Sequence, residues 1–247
     1  MTLEFIAMLM AGALAGGFIN GLAGFGTALL ALGLWLQIMP PQQAVAIVVV
    51  MSVASGLQGL WITRQEISDQ PARLARFLLP GLIGLPMGVT LLSMISGLAL
   101  KLIIAGFMIV YGGFFTLRRA LPRFDRPTPV MDAGIGFLGG VLGGAASLSG
   151  ALPTMWCAMR PWPKRETRAV LQPYNVGILG MAVMLFAMQG LYDRGTLLLV
   201  ALALPGTLIG AQFGIALFHR LSDTQFRRLL ILVMFASGMA LALRELI

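Results

Sequence analysis

Two clusters of small and hydroxylated residues interrupt otherwise apolar sequence. They are Asn20-Gly21-Leu22-Ala23-Gly24-Phe25-Gly26-Thr27 and Gly143-Gly144-Ala145-Ala146-Ser147-Leu148-Ser149-Gly150. Glycine lets a backbone approach a bound group closely, while the Asn20 amide and the hydroxyls of Thr27, Ser147 and Ser149 supply donors. Apolar sequence resumes at Gly26-Thr27 and at Ser149-Gly150, so each cluster ends in a helix N-terminus. Free N–H groups and the positive end of the helix dipole favour an anion there. Two such ends facing each other predict an uncharged pocket for a small oxyanion, with Gly24, Phe25, Gly26 and Gly150 at its backbone.

A second set lies on one later stretch. Arg168, Gln172 and Asn175 are spaced to share a helix face, and buried Gln or Asn is costly to leave unpaired. Ser52 occupies the position matching Asn175 in the first half of the chain and joins the candidates. Arg168 could draw an anion inward, whereas Arg160, Lys164 and Arg165 read as ordinary loop cations. The glycine pairs Gly84/Gly88 and Gly206/Gly210/Gly214 lie inside continuous apolar runs and read as helix packing. The glycines at the interruptions read as functional, because packing alone requires no break.

Several chemistries are excluded. One cysteine, Cys157, and one histidine, His219, rule out an intramolecular disulfide, a Cys-rich metal site and His-cluster metal ligation. No G-x-x-x-x-G-K-[ST] loop exists, so nucleotide hydrolysis has no apparatus. No charged residue is expected well inside a span, the nearest being Lys101, Asp193 and Arg194, so a carboxylate proton relay has no carrier. No enzyme activity, metal or cofactor is expected.

The elements that must position these residues are membrane helices. The 247 residues are 58% hydrophobic and 11% charged, with mean hydropathy +0.91. A soluble fold of this size could not hide so much apolar surface. The excess of 17 Lys and Arg over 9 Asp and Glu fits cytoplasmic loops of a membrane protein better than nucleic-acid binding. Apolar runs predict spans at 42–62, 77–95, 98–117, 169–189, 196–217 and 224–243. The pieces Phe5–Ile19, Thr27–Met39, Met131–Leu142 and Gly150–Met159 are each too short to cross comfortably, which predicts two broken, re-entrant hairpins, 5–39 and 131–159.

The chain also repeats. The offset that lays Gly16-Gly17 over Gly139-Gly140 pairs Ala46 with Ala169 and Ser52 with Asn175. Later in each half, at a slightly larger offset, Leu79-Pro80-Gly81 matches Leu204-Pro205-Gly206. A Pro-rich linker, 120–130, separates repeat 1–119 from repeat 131–247. One re-entrant hairpin plus three spans per half makes the halves inverted. Only Lys101, Arg194 and Arg244 of the 17 cations then fall off the cytoplasmic side, with both termini outside. The expected fold is therefore an all-α polytopic membrane protein of two inverted-topology repeats. Paired broken helices in such repeats point to a transporter's binding site.

Gly21-Leu22-Ala23-Gly24-Phe25-Gly26, then Pro41-Gln42-Gln43-Ala44-Val45-Ala46 and Trp61-Ile62-Thr63-Arg64-Gln65-Glu66-Ile67, resemble the first repeat of the TauE/SafE family of sulfite-exporter-like permeases. Gly139 to Gly150, followed by Pro163-Lys164-Arg165-Glu166-Thr167-Arg168-Ala169, resembles its second repeat. The resemblance implies a bacterial inner-membrane permease for sulfite, sulfoacetate, other sulfonates or related organic anions. Leu30 stands where the second repeat has Pro153, and Phe25 interrupts the first glycine cluster as a candidate gate. The expected partners are a small anionic substrate and the lipid bilayer, with no nucleic acid. The coupling ion, direction of transport and homo-oligomeric state are left open. A passive anion channel and a non-transporting scaffold subunit are the alternatives.

Overall fold

In a computed structural model, all regular structure among the described residues is helical. The structure describes residues 2–62, 64–94, 124 and 126–226, with scattered positions between and beyond them. The spans expected at 98–117 and 224–243 lie outside these, apart from isolated positions.

Helix α1 (Leu3–Ala23) opens on Thr2, whose hydroxyl accepts from the Phe5 N–H, and closes at Gly24 in the left-handed region, φ 85°. Gly26, at φ 97°, repeats that conformation just before α2 (Thr27–Trp35). Both positions suit glycine because a Cβ there is strained. Helices α3 (Pro41–Ile62), α4 (Arg64–Asp69) and α5 (Pro71–Met94) follow. The second half holds α6 (Pro129–Ala146), α7 (Ala151–Ala158), α8 (Lys164–Met188) and α9 (Arg194–Arg220). Asp193 caps α9 by accepting from the Thr196 N–H. That bond, seconded by the Thr196 hydroxyl, holds its carboxyl below the usual range.

The break expected from Asn20 onward is shorter than the sequence implied. Asn20 and Gly21 continue α1, because the Asn20 amide bonds across to α3 and Gly21 sits against the Ala211 carbonyl. The 21 residues of α1 make about 31 Å of helix, and α6 has 18. Both are long and apolar enough to cross a membrane, as are α3, α5, α8 and α9. The expectation that every hairpin piece is too short to cross is therefore corrected, in length alone, for α1 and α6. Only the return pieces are short, α2 at 9 residues and α7 at 8.

Each return piece folds back along its partner. The Trp35 indole N–H donates to the Leu9 carbonyl at 3.1 Å, in space left by Gly12. The Trp156 indole N–H donates to Asp132 Oδ1 at 2.7 Å. Leu9 and Asp132 are related by the same offset that carries Gly16 to Gly139.

The long helices pair across the two halves. Gly17 and Gly21 of α1 approach the Thr207 and Ala211 carbonyls of α9, while Gly210 and Gly214 approach those of Leu14 and Phe18. Helices α5 and α6 do the same through Gly84, Gly88, Gly136, Gly140 and Gly144. Both pairs run parallel. Helices α3 and α8 instead cross antiparallel, with Gly56 against Gln172 and Val176, and Gly59 against Gln172 and Arg168. The packing expected at Gly84/Gly88 and Gly206/Gly210/Gly214 is present, and the interruption glycines Gly21, Gly143 and Gly144 share that role.

Candidate functional site

The two breaks meet. Gly150, at the start of α7, has a right-handed backbone, so conformational freedom does not explain it. A Cβ there would strike Phe25, and Phe25 is 2% exposed between the two interruptions. The candidate gate is thus wedged against the second break. Gly24 faces Gln172 and Arg168 of α8, which brings the α8 set to the first break.

Arg168 carries the site's electrostatics. The spacing that put Arg168 on one face with Gln172 and Asn175 set it near a charged hairpin mouth; α8 starts at Lys164, and Arg168 is fully buried. Its Nε donates to Gln172 Oε1 at 3.3 Å and its Nη1 to the Leu22 carbonyl at 3.4 Å, while Nη2 has no partner. The guanidinium lies 4.5 Å from the centre of the Phe218 ring. No carboxylate pairs with it among the described residues. The pocket expected to be uncharged therefore has a buried cation beside the first break. Leu22 belongs to the last turn of α1, where carbonyls lack intrahelical donors, so Arg168 offsets the negative helix end and leaves the positive end of α2 unopposed.

The other predicted residues sit around this cation or at the facing break. Gln172 donates from Nε2 to the Gly56 carbonyl at 3.0 Å, linking α8 to α3. Asn20 spends its amide N–H groups on α3, donating to the Ser52 carbonyl at 2.9 Å and Ser55 Oγ at 2.6 Å. Its free polar atom is the carbonyl oxygen, an acceptor rather than an anion donor. Ser149 Oγ donates to Asn175 Oδ1 at 2.6 Å, which leaves Asn175 Nδ2 as an unpartnered buried donor. The hydroxyls of Thr27, Ser52 and Ser147 are likewise buried without partners, and Ser147 ends α6 at φ 57°. Buried polar groups are normally paired. Unpaired ones cluster here: of those found among the described residues, only Gln37, Gln58 and Arg160 lie outside the predicted set. Tyr174 is an anchor, donating to the Gly136 carbonyl at 2.6 Å.

One ionisable residue inside a helix was missed. Asp132, in the first turn of α6, is 3% exposed and pairs with Arg160 at 3.1 Å. Arg160, expected to be a loop cation, is 4% exposed and also donates to the Phe124 and Arg126 carbonyls at 3.1 and 2.6 Å. A lone Asp in an apolar run was the available signal. Lys164 Nζ donates to the Phe218 and Leu221 carbonyls at the end of α9, while Arg165 forms an exposed pair with Glu66.

Six helices among the described residues are long and apolar enough to cross a membrane, and unpaired polar groups are buried at the two breaks, the make-up of a multi-pass membrane protein. The sequence matches the family described as Sulfite exporter TauE/SafE over residues 8–241, and the chain belongs to that family. No curated protein and no solved structure matches it.

Proposed function

We propose that this protein is a secondary carrier for a small sulfur-containing or organic anion, such as sulfite, sulfoacetate or another sulfonate. It works by alternating access around its two broken hairpins in a bacterial cytoplasmic membrane. The observation that carries this reading is Arg168, fully buried with Nη2 unpartnered. An uncompensated buried cation costs several kcal/mol, and an anion offsets that cost directly. The substrate's oxygens would meet Arg168, the Thr27 hydroxyl and the first N–H groups of α2, with Ser147, Ser149, Gln172, Asn175 and Ser52 completing the pocket. These are neutral donors around one charge, which suits a small anion and leaves the carrier no catalytic base to act with.

The repeats are inverted in this reading, with both termini outside. The parallel pairs α1–α9 and α5–α6 and the antiparallel crossing of α3 with α8 support it, since each pair joins elements of opposite halves. A C-terminal reporter active only in the cytoplasm is expected to stay dark. A bright reporter would overturn the topology.

The carrier reading is tested by flux in proteoliposomes offered sulfite, sulfoacetate, taurine, sulfate and chloride, with and without a pH gradient. Saturable movement of one sulfur oxyanion is expected, and its response to the gradient identifies proton coupling. Non-saturating chloride leak, or no flux from folded protein, would sink it. Asn175→Leu is expected to lower that flux by at least about tenfold, because a buried donor facing charge is worth roughly 1.5–3 kcal/mol, with folded yield retained. Unchanged flux removes Asn175 from the pocket.

A further inference from the structure

Away from the two breaks, at the start of the second hairpin, a cavity of about 430 Å³ opens where α5, α6 and the residues before α6 meet. Its wall carries Arg73, Arg76, Arg126 and Arg160, opposed by Asp69 and Asp132. The N-terminal residues Pro71 and Ala72 of α5 and Pro127 just before α6 also line it. Because α5 and α6 run parallel and in contact, the positive ends of both dipoles open onto the same space.

The charges do not cancel. Arg160 is matched by Asp132 at 3.1 Å and Arg73 by Glu166 at 2.8 Å. Arg76 and Arg126 form no ion pair among the described residues, against the single acid Asp69. One net side-chain charge plus about half a charge from each helix end leaves roughly two positive charges. Arg160 lines the cavity at 4% exposure, and its Nε is buried without a partner. The Arg73 guanidinium covers the Trp162 ring at 4.2 Å, giving the wall an amphipathic edge of the kind found at headgroup level.

We propose that this cavity binds a phosphate group, carried either by an anionic phospholipid headgroup or by free phosphate. Guanidinium forks and helix N-termini both match phosphate oxygens, and its charge of about one to two offsets the cavity's surplus. Both helices are of membrane-crossing type, which sets their ends at the depth of lipid phosphates. The cavity shares no residue with the pocket at Arg168, so this site stands or falls apart from the carrier reading.

The test uses the full chain in neutral detergent, with the melting midpoint followed against phosphatidylglycerol, phosphatidylcholine and inorganic phosphate. A saturable rise with phosphatidylglycerol and none with phosphatidylcholine is expected. A rise with phosphatidylglycerol alone identifies the lipid, and an equal rise with inorganic phosphate identifies the free ion. Arg76→Gln combined with Arg126→Gln, both exposed positions, is expected to weaken apparent affinity roughly 30-fold, at about 1 kcal/mol for each charge removed. If that double variant melts lower in phosphatidylcholine, Arg126→Glu alone carries the comparison. No shift with either phosphate source, or equal shifts in wild type and variant, overturns the site.

Discussion

Replacing Arg168 with methionine is expected to abolish anion movement while leaving the protein as stable as before or more so. The side chain is fully buried and its two hydrogen bonds are long, at 3.3 and 3.4 Å. Bonds of that length contribute little, whereas desolvating a guanidinium without a counter-ion is expensive. Methionine keeps the apolar stem and the contact with Phe218, and its thioether fills irregular space. A gain of about 1 kcal/mol would raise the melting midpoint by about 2–4 °C in a chain of this size. The rival account makes Arg168 a structural cap for the last carbonyls of α1, through Leu22. That account requires the midpoint to fall. Flux in proteoliposomes and melting in detergent therefore separate the two. Arg168→Lys, which keeps the charge but loses the planar fork, is expected to retain weakened, still saturable flux.

The second large effect concerns packing. Gly140→Ala is expected to lower the melting midpoint sharply, and Gly140→Val to prevent folding. A Cβ at this position would overlap the Gly81 carbonyl of α5, a backbone atom that no rotamer change can move. Overpacking against movable side chains typically costs about 1–3 kcal/mol, and a rigid neighbour puts this site at or above that range. The two helices would have to separate, breaking the remaining glycine contacts along α5 and α6. Gly180→Ala on α8 is the control, since nothing lies within 4 Å of its added Cβ. There, reduced backbone entropy should leave the midpoint unchanged or raise it, by up to about 1 kcal/mol of stability. Equal effects at the two glycines would show that the close approach of α5 and α6 is not what holds them.

Much of this was legible from residue order. The interruptions at Gly24–Gly26 and Ser147–Gly150 could be seen because glycine and serine clusters have no reason to divide a packed span. The offset linking Ser52 with Asn175 also placed both at the α3–α8 region. Asn20 and Gly21 misled in the other direction, as each looks like a helix breaker in isolation. Their roles depend on neighbours that local sequence cannot display, a carbonyl on α3 and another on α9. Arg168 was legible in part. Its spacing to Gln172 and Asn175 made it a candidate, but in the run Lys164-Arg165-Glu166-Thr167-Arg168 it also looks like one more loop charge, and only the start of α8 at Lys164 turns it inward. Asp132 escaped notice because its partner Arg160 is separated from it by the whole second break.

The glycine faces of α1 and α9 meet although Gly17 and Thr207 stand near opposite ends of the chain. On a ribosome, α1 emerges first and α9 long after it, so the first helix enters the bilayer with its close-contact face uncovered. Translation must pass Gly214 before that face can be sealed, and α5 must similarly wait for α6. Insertion and tertiary folding are thereby separated in time. Until α9 has been made, lipid tails or an assisting insertase must occupy the surfaces that the later helices will claim.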